Sequence, residues 1–345
     1  MRVGILTAGG DSPGLNAGIR ASARYLLEHG HEPVGIARGY RGLVERDCHA
    51  LDMAELSGIL PAGGTILATS GYDPFDDPEG VDRLRAALAA ERLDAVIAFG
   101  GEHTMDVSRR LQEELELPHV GVPTTIDNDV PGTEVTLGFD TAVQTATEAI
   151  DRLHTSAAAH DRVAVLEVMG GDTGWIAVIA GITGGADGVV IPELELTVEE
   201  VAGAITRRHE RGKSFSLIVV AEGAQLAFES GERRSVHASE DSDEYGYPQV
   251  GGIGHAFATE IERHTGFETR ATALGHLQRG GTPTATDRLL ATRYGVRAAE
   301  MVLVGDLGQM VAVRGTDLTG VPLSEVRGLK PVDLAYLELA RTFFG

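Results

Sequence analysis

A glycine pair followed by an acid and a base, Gly100-Gly101-Glu102-His103, joins an apolar strand-like run at 93–99 to a helix-like stretch at 104–115. Glycines at such a turn let backbone approach a phosphate closely, and the helix start offers unpaired N–H groups to an anion. The Glu102 carboxylate suits a magnesium ion that bridges phosphoryl oxygens. An ordinary strand-to-helix turn uses the same residue types, so the reading gains its weight from two companions. Gly9-Gly10-Asp11-Ser12-Pro13-Gly14 follows the strand-like run at 2–7, and Pro123-Thr124-Thr125-Ile126-Asp127-Asn128-Asp129 follows another. Asp127 and Asp129 stand two apart, which in extended backbone turns both carboxylates to one side. An Asx-rich turn that caps a helix is the alternative. Phosphoryl transfer needs a phosphate cradle, a metal ligand and a carboxylate that takes a proton.

These residues must be held by elements, and strand-like runs alternate with helix-like ones along the chain: 2–7 then 16–28, 95–99 then 104–115, 163–168 then 174–182, 215–220 then 254–264. The alternation predicts an α/β fold with a mainly parallel sheet and helices on both faces. Ligands of such sheets gather outside the carboxyl ends of strands, where the glycine-rich turns fall. The stretch 223–250 breaks the pattern with charged residues and glycines, and reads as an exposed loop or a small hairpin. A length of 345 residues suits two domains.

Composition narrows the function. Hydrophobic residues make up 43% and mean hydropathy is −0.02, as expected of a soluble globular protein. No stretch approaches the ~20 apolar residues of a membrane span, and the sequence enters a strand at once without a leader, so a cytoplasmic protein with no membrane partner is expected. Cys48 is the sole cysteine, which excludes an internal disulfide and a cysteine metal site. With 29 basic against 51 acidic residues the net charge is −22, which argues against a nucleic-acid partner. It also draws attention to Arg270, Arg279 and Arg288 around His276, since a chain this acidic needs local cations to capture an anionic substrate. Ordinary ion pairs with surface carboxylates are the alternative.

Together with Gly275-His276-Leu277-Gln278-Arg279-Gly280-Gly281, these segments resemble the phosphofructokinase family in order and spacing over nearly the whole chain. The resemblance implies two doubly wound, mainly parallel-sheet domains with the active site in the cleft between them. It places a larger, donor- and metal-binding domain at 1–138 plus 279–328 and a smaller, sugar-phosphate-binding domain at 139–278 plus 329–345. The implied activity is a glycolytic kinase that phosphorylates the 1-hydroxyl of fructose 6-phosphate or a related ketose phosphate. It would use Mg2+ at Glu102 and ATP as donor, with pyrophosphate the alternative. By resemblance Asp127 is the general base, with Thr125, Asp129 and His103 beside the reacting groups. Gly9, Gly10, Tyr40, Gly100, Gly101 and Thr104 match the donor cradle. Met169, Gly170, Glu222, His276 and Arg279 match sugar-phosphate contacts, and Arg162 and Arg270 match arginines that reach this pocket from a neighbouring subunit of a homotetramer.

Departures from the family gather at the donor. Glu102 replaces the more usual aspartate. His103 stands where ATP users carry glycine and pyrophosphate users aspartate, and Thr124 where glycine or lysine is usual. Gly71 and Gly171 occupy positions of arginines that face the transferred group, leaving His103 and Arg41 as candidates for the lost charge. Arg20, Arg24 and Lys213 match an effector site, in which Met53 and His154 replace arginines. Two further alternatives stay open on these grounds: a specialised enzyme for another sugar phosphate, and a catalytically weak, sugar-phosphate-binding regulatory paralogue.

Overall fold

The computed structural model describes residues 1–242, 248–250 and 252–342. Its first elements are β1 (Arg2–Thr7), α1 (Leu15–Glu28), β2 (Glu32–Ile36), α2 (Gly39–Glu45), β3 (Cys48–Ala50), α3 (Gly80–Glu91), β4 (Ala95–Gly100), α4 (Glu102–Leu115) and β5 (His119–Pro123). Then follow α5 (Phe139–His160), β6 (Val163–Val168), α6 (Trp175–Thr183), β7 (Gly188–Val190), α7 (Val198–Glu210) and β8 (Ser216–Ala221). The short strands β9 (Leu226–Ala227), β10 (Arg233–Arg234), β11 (His237–Ser242) and β12 (Pro248–Val250) precede α8 (Ile253–Thr265) and β13 (Thr269–Ala273). The chain closes with α9 (Ala285–Val304), β14 (Gln309–Arg314), β15 (Asp317–Pro322) and α10 (Leu334–Arg341).

Two compact units result, Met1–Thr141 with Arg279–Leu329, and Ala142–Gln278 with Lys330–Gly345. The first crossing falls after Thr141 rather than after 138 for a local reason. Asp287, fully buried on α9, accepts hydrogen bonds from the backbone N–H groups of Gly138 (2.9 Å) and Thr141 (2.8 Å), so the first turn of α5 stays with the first unit.

The first unit is a seven-stranded sheet in the order β15-β14-β5-β4-β1-β2-β3. Its centre is parallel, and antiparallel pairs β2–β3 and β14–β15 close its edges. Side-chain alternation builds both faces. Val3, Ile5, Ile97 and Phe99 meet α1 and α9, whereas Leu6, Ile36, Val96 and Ala98 meet α2, α3 and α4. In the second unit four parallel strands lie in the order β13-β6-β8-β7. Its central strands β6 and β8 are buried along their whole length, which explains their mainly apolar sequences; the buried Glu167 of β6 accepts from the N–H groups of Gly252 and Gly254. The irregular stretch forms antiparallel pairs β9–β10 and β11–β12, and the charged run at 240–244 lies partly outside the described residues. No helix among the described residues is long and apolar enough to cross a membrane.

Candidate active site

In the first unit the three sequence turns leave the carboxyl ends of β1, β4 and β5, which are neighbours in the sheet. Strand connections diverge between β1 and β4, and such a switch point leaves a crevice for a ligand. The turns are bolted together. Ala8 N–H donates to Phe99 O (2.9 Å), Thr104 Oγ1 donates to Ala8 O (3.2 Å), and Thr124 N–H donates to Gly100 O (2.7 Å). A Cβ on Gly100 would sit 2.2 Å from Thr104 Oγ1, so only glycine fits there. Gly9 has a φ of +81°, its N–H donates to Ser70 O (3.1 Å), and its carbonyl accepts from Thr69 Oγ1 (2.6 Å). The loop that carries Gly71 is thereby held beside the cradle of Gly9, Gly10, Gly100 and Gly101.

Helix α4 begins at Glu102 rather than at 104, because Gly101 takes the extended N-cap conformation (φ −84°, ψ −160°). Glu102 and His103 therefore sit in the first helical turn, where an acid is favoured by the helix dipole. Glu102 is half-buried, and burial with the neighbouring Asp106 holds its carboxyl above the usual range while His103 opposes them. Two expected cradle residues have other work. Thr104 is 2% exposed and serves as the bolt just described; Tyr40 is 1% exposed, with its hydroxyl 2.8 Å from Ser108 Oγ, and belongs to the core behind α4. Burial holds the Tyr40 phenol well above its ordinary value.

Asp127 lies in a turn, not in extended backbone, so the expected alternation with Asp129 does not hold. Asn128 takes a φ of 53° and its Oδ1 accepts from Thr136 N–H (3.0 Å), which fixes the reversal. The reversal is a turn, but it caps no helix, since α5 begins only at Phe139. Thr125 Oγ1 donates to Asp127 Oδ2 (3.2 Å) and accepts from Asp127 N–H (3.1 Å). Arg279 Nη2 stands 3.8 Å from Asp127 Oδ2, and its Nη1 donates to Asp11 O (3.4 Å). Arg279 thus ties the β5 turn to the β1 turn. Burial pushes the Asp127 carboxyl above its ordinary value, and Arg279 and the Thr125 hydroxyl pull it back. The result is a carboxylate of enhanced basicity beside a fixed cation.

In the second unit Glu222, 8% exposed, accepts from Gly170 N–H (3.2 Å) and Gly171 N–H (3.0 Å). Glu222 N–H in turn donates to Val168 O (2.9 Å), so the ends of β6 and β8 carry Met169, Gly170 and Glu222 as one knot. A Cβ at Gly171 would meet nothing within 4 Å, so the space of the absent arginine is open. His276 is exposed on a short 3-10 turn at Gly275–Gln278. Arg162 and Arg270 are elsewhere, at the opposite ends of their strands. Glu268 holds both, 3.5 Å from Arg162 Nη2 and 2.9 Å from Arg270 Nη2. Arg288 donates to Pro283 O (2.9 Å). The arginines of the sequence cluster therefore serve separate partners.

Sequence reasoning missed Asp73. It is buried beside the donor turns, 3.7 Å from His103 Nε2 and 3.8 Å from Arg110 Nη1. Asp73-Pro74 signals a turn but nothing about its partner. Asp287 was also missed, although Thr284-x-x-Asp287 has the spacing of a helix N-terminus. Among the described residues no group of three or more His, Cys, Asp or Glu side chains could hold a metal. Glu102 nevertheless fits magnesium, which takes one or two carboxylates and completes its shell with water and phosphate oxygens. At the effector-like positions His154 packs edge-on against Phe215 with ring centroids 4.8 Å apart.

Known proteins resemble this chain over nearly its whole length. The family model described as Phosphofructokinase matches residues 2–302. A pyrophosphate–fructose 6-phosphate 1-phosphotransferase of Streptomyces coelicolor is 48% identical over 347 residues, 100% of both chains. An ATP-dependent 6-phosphofructokinase of Chloroflexus aggregans is 48% identical over 337 residues, 95% of this chain and 91% of the other. The crystal structure of a pyrophosphate-dependent phosphofructokinase from Nitrosospira multiformis matches with a TM-score of 0.84 at 18% identity, covering 100% of this chain and 92% of that one, which supports the fold. Glycine turns on adjacent strands, a basic aspartate beside an arginine, and full-length similarity to such relatives lead to one conclusion: the chain belongs to the phosphofructokinase family.

Proposed function

We propose that this phosphotransferase moves a phosphoryl group to the 1-hydroxyl of fructose 6-phosphate. The carrying observation is Asp127, partly buried and made more basic by that burial, beside Thr125 and Arg279 and next to two glycine turns that can hold a phosphate chain. In the reaction the 1-hydroxyl oxygen bonds to the terminal phosphorus of the donor while the bridging P–O bond breaks. Asp127 takes the hydroxyl proton, and ADP or inorganic phosphate leaves. Arg279 offsets charge near the reacting oxygens. Gly9, Gly10, Gly100 and Gly101 cradle the donor. Glu102 would hold a magnesium ion, which would supply neutralisation of phosphoryl charge. Met169, Gly170, Glu222 and His276 recognise the sugar phosphate, so the first unit handles donor and metal and the second the acceptor.

ATP is the first reading of the donor. Pyrophosphate is favoured by His103, a bulky side chain directly after the cradle glycines and Glu102. Arg162 and Arg270 act in a homo-oligomer, a tetramer by family likeness. A matrix of ATP, GTP and pyrophosphate against fructose 6-phosphate, sedoheptulose 7-phosphate and tagatose 6-phosphate, read by product mass, tests the proposal. Product only with fructose 6-phosphate supports it, and product with none of the acceptors overturns it.

A further inference from the structure

His103 follows directly on the cradle glycines Gly100 and Gly101, in the first turn of α4, so its ring position bears on how much room a donor has. Asp73 controls that position. Its Oδ1 accepts from Phe75 N–H (2.8 Å), which anchors the carboxylate in its loop, and only 6% of the side chain is exposed. Its Oδ2 faces two side chains of α4, His103 Nε2 at 3.7 Å and Arg110 Nη1 at 3.8 Å. His103 and Arg110 are seven residues apart, two turns along one helix face. Arg110 is fixed independently, its guanidinium 3.6 Å from the centre of the Phe75 ring. Both separations exceed hydrogen-bond length, so Asp73 supplies a buried negative charge that two groups share and that orients the imidazole N–H edge. Among the described residues the other ring nitrogen has no hydrogen-bond partner.

We infer that Asp73 is a positioning residue for donor choice: it tethers the His103 ring beside the donor cradle and so favours the compact inorganic pyrophosphate over a nucleoside triphosphate. The inference rests on the phosphoryl-transfer reading. The charge is buried and the loop is tied to the cradle through Ser70 and Gly9, so the tether needs no motion of α4. A nucleoside triphosphate carries an α-phosphate and a sugar that inorganic pyrophosphate lacks, so crowding at the cradle falls more heavily on the nucleotide. Arg110 competes for the same carboxylate oxygen, which makes the tether adjustable by substitution at a residue outside the cradle.

Asp73→Asn keeps the acceptor for Phe75 N–H and removes the charge. The ratio of kcat/KM for ATP to that for pyrophosphate should then rise about tenfold, the low end of what one steric change gives to discrimination. In a His103→Ala background the same substitution should leave the ratio unchanged, because Asp73 acts through His103. Arg110→Gln should lower the ratio by giving Asp73 wholly to His103, and it tests the tether even if the Asp73 variant fails to fold. Dissociation constants of β,γ-imido-ATP and methylenediphosphonate, measured by calorimetry on the same proteins, give the ratio without turnover. If the wild type binds both analogues but transfers from neither donor, the function reading fails while the analogue ratio still decides the tether. An unchanged ratio in Asp73→Asn, or an equal change with and without His103, overturns the inference, as does an unchanged ratio in Arg110→Gln.

Discussion

A carboxylate that must accept a proton needs to be basic yet ionised, and the surroundings of Asp127 pull in both directions. Burial raises its pKa, and Arg279 and the Thr125 hydroxyl lower it. Replacement by asparagine keeps the shape and the contact with Thr125 but not the basicity. Asp127→Asn should therefore lower kcat by roughly 10²–10⁴, the usual share of a general base, while the KM for fructose 6-phosphate changes by less than about threefold. Steady-state kinetics with saturating donor check this, and wild-type turnover would remove Asp127 from the mechanism. At this scale the residue types were legible in the sequence. Gly100, Glu102 and Asp127 are of the types that a phosphate cradle, a metal ligand and a base require. Their partners were not legible, since nothing in the sequence order of Asp73 and His103 or of Asp127 and Arg279 says that a loop and a crossing segment bring them together.

At the scale of elements, the strands and helices followed from periodicity, and the misplaced boundary at α4 has a physical reason. Gly101 reads equally well as part of a turn or as an N-cap, and only its extended dihedrals decide for the latter. Strand β5, which carries the Asp127 turn at one end, starts at the other with His119, 1% exposed. Its Nδ1 lies 3.1 Å from Leu117 O, to which the neutral ring donates, and burial lowers its pKa from 6.5 to about 4. The unfolded chain therefore binds a proton that the fold refuses. Stability from neutral His119 is complete above about 6.5 and is lost as pH falls towards 4; at about 1.4 kcal/mol per pH unit the loss is on the order of 3 kcal/mol. His119→Asn keeps an N–H donor for Leu117 and cannot be protonated. Urea unfolding at pH 7 and pH 4 should show a smaller acid loss in the variant than in the wild type. Equal losses would mean that His119 is protonated in the native state or already shielded in the unfolded one.

For the whole molecule, the direction of the second sheet decides what a single chain can assemble. Arg162 immediately precedes β6, and Arg270 pairs with Ala164 near the same end. Met169 and Gly170 follow the other end of β6, and Glu222 follows β8, which runs parallel to it. Seven residues from Arg162 to Met169, and five from Ala164, the partner of Arg270, at about 3.3 Å each, separate the two groups by roughly 16–23 Å, beyond the reach of an arginine side chain. If all of these residues serve sugar phosphate, they serve two different sites, and one chain must complete the site of another. That requirement turns into a mixing experiment. Asp127→Asn should fail for want of a base, and the double variant Arg162→Ala, Arg270→Ala for want of the partner's phosphate grip. When the two inactive proteins are dissociated, mixed in equal amounts and reassociated, hybrid oligomers contain sites with Asp127 from one chain and both arginines from the other. Activity should return to roughly a quarter of the wild-type value, the fraction of intact shared sites expected from random pairing across a two-fold interface. Size-exclusion chromatography of the mixture shows whether hybrids formed. Hybrids without recovered activity would place base and arginines in the service of one chain's own site, and the oligomer would then have no catalytic role.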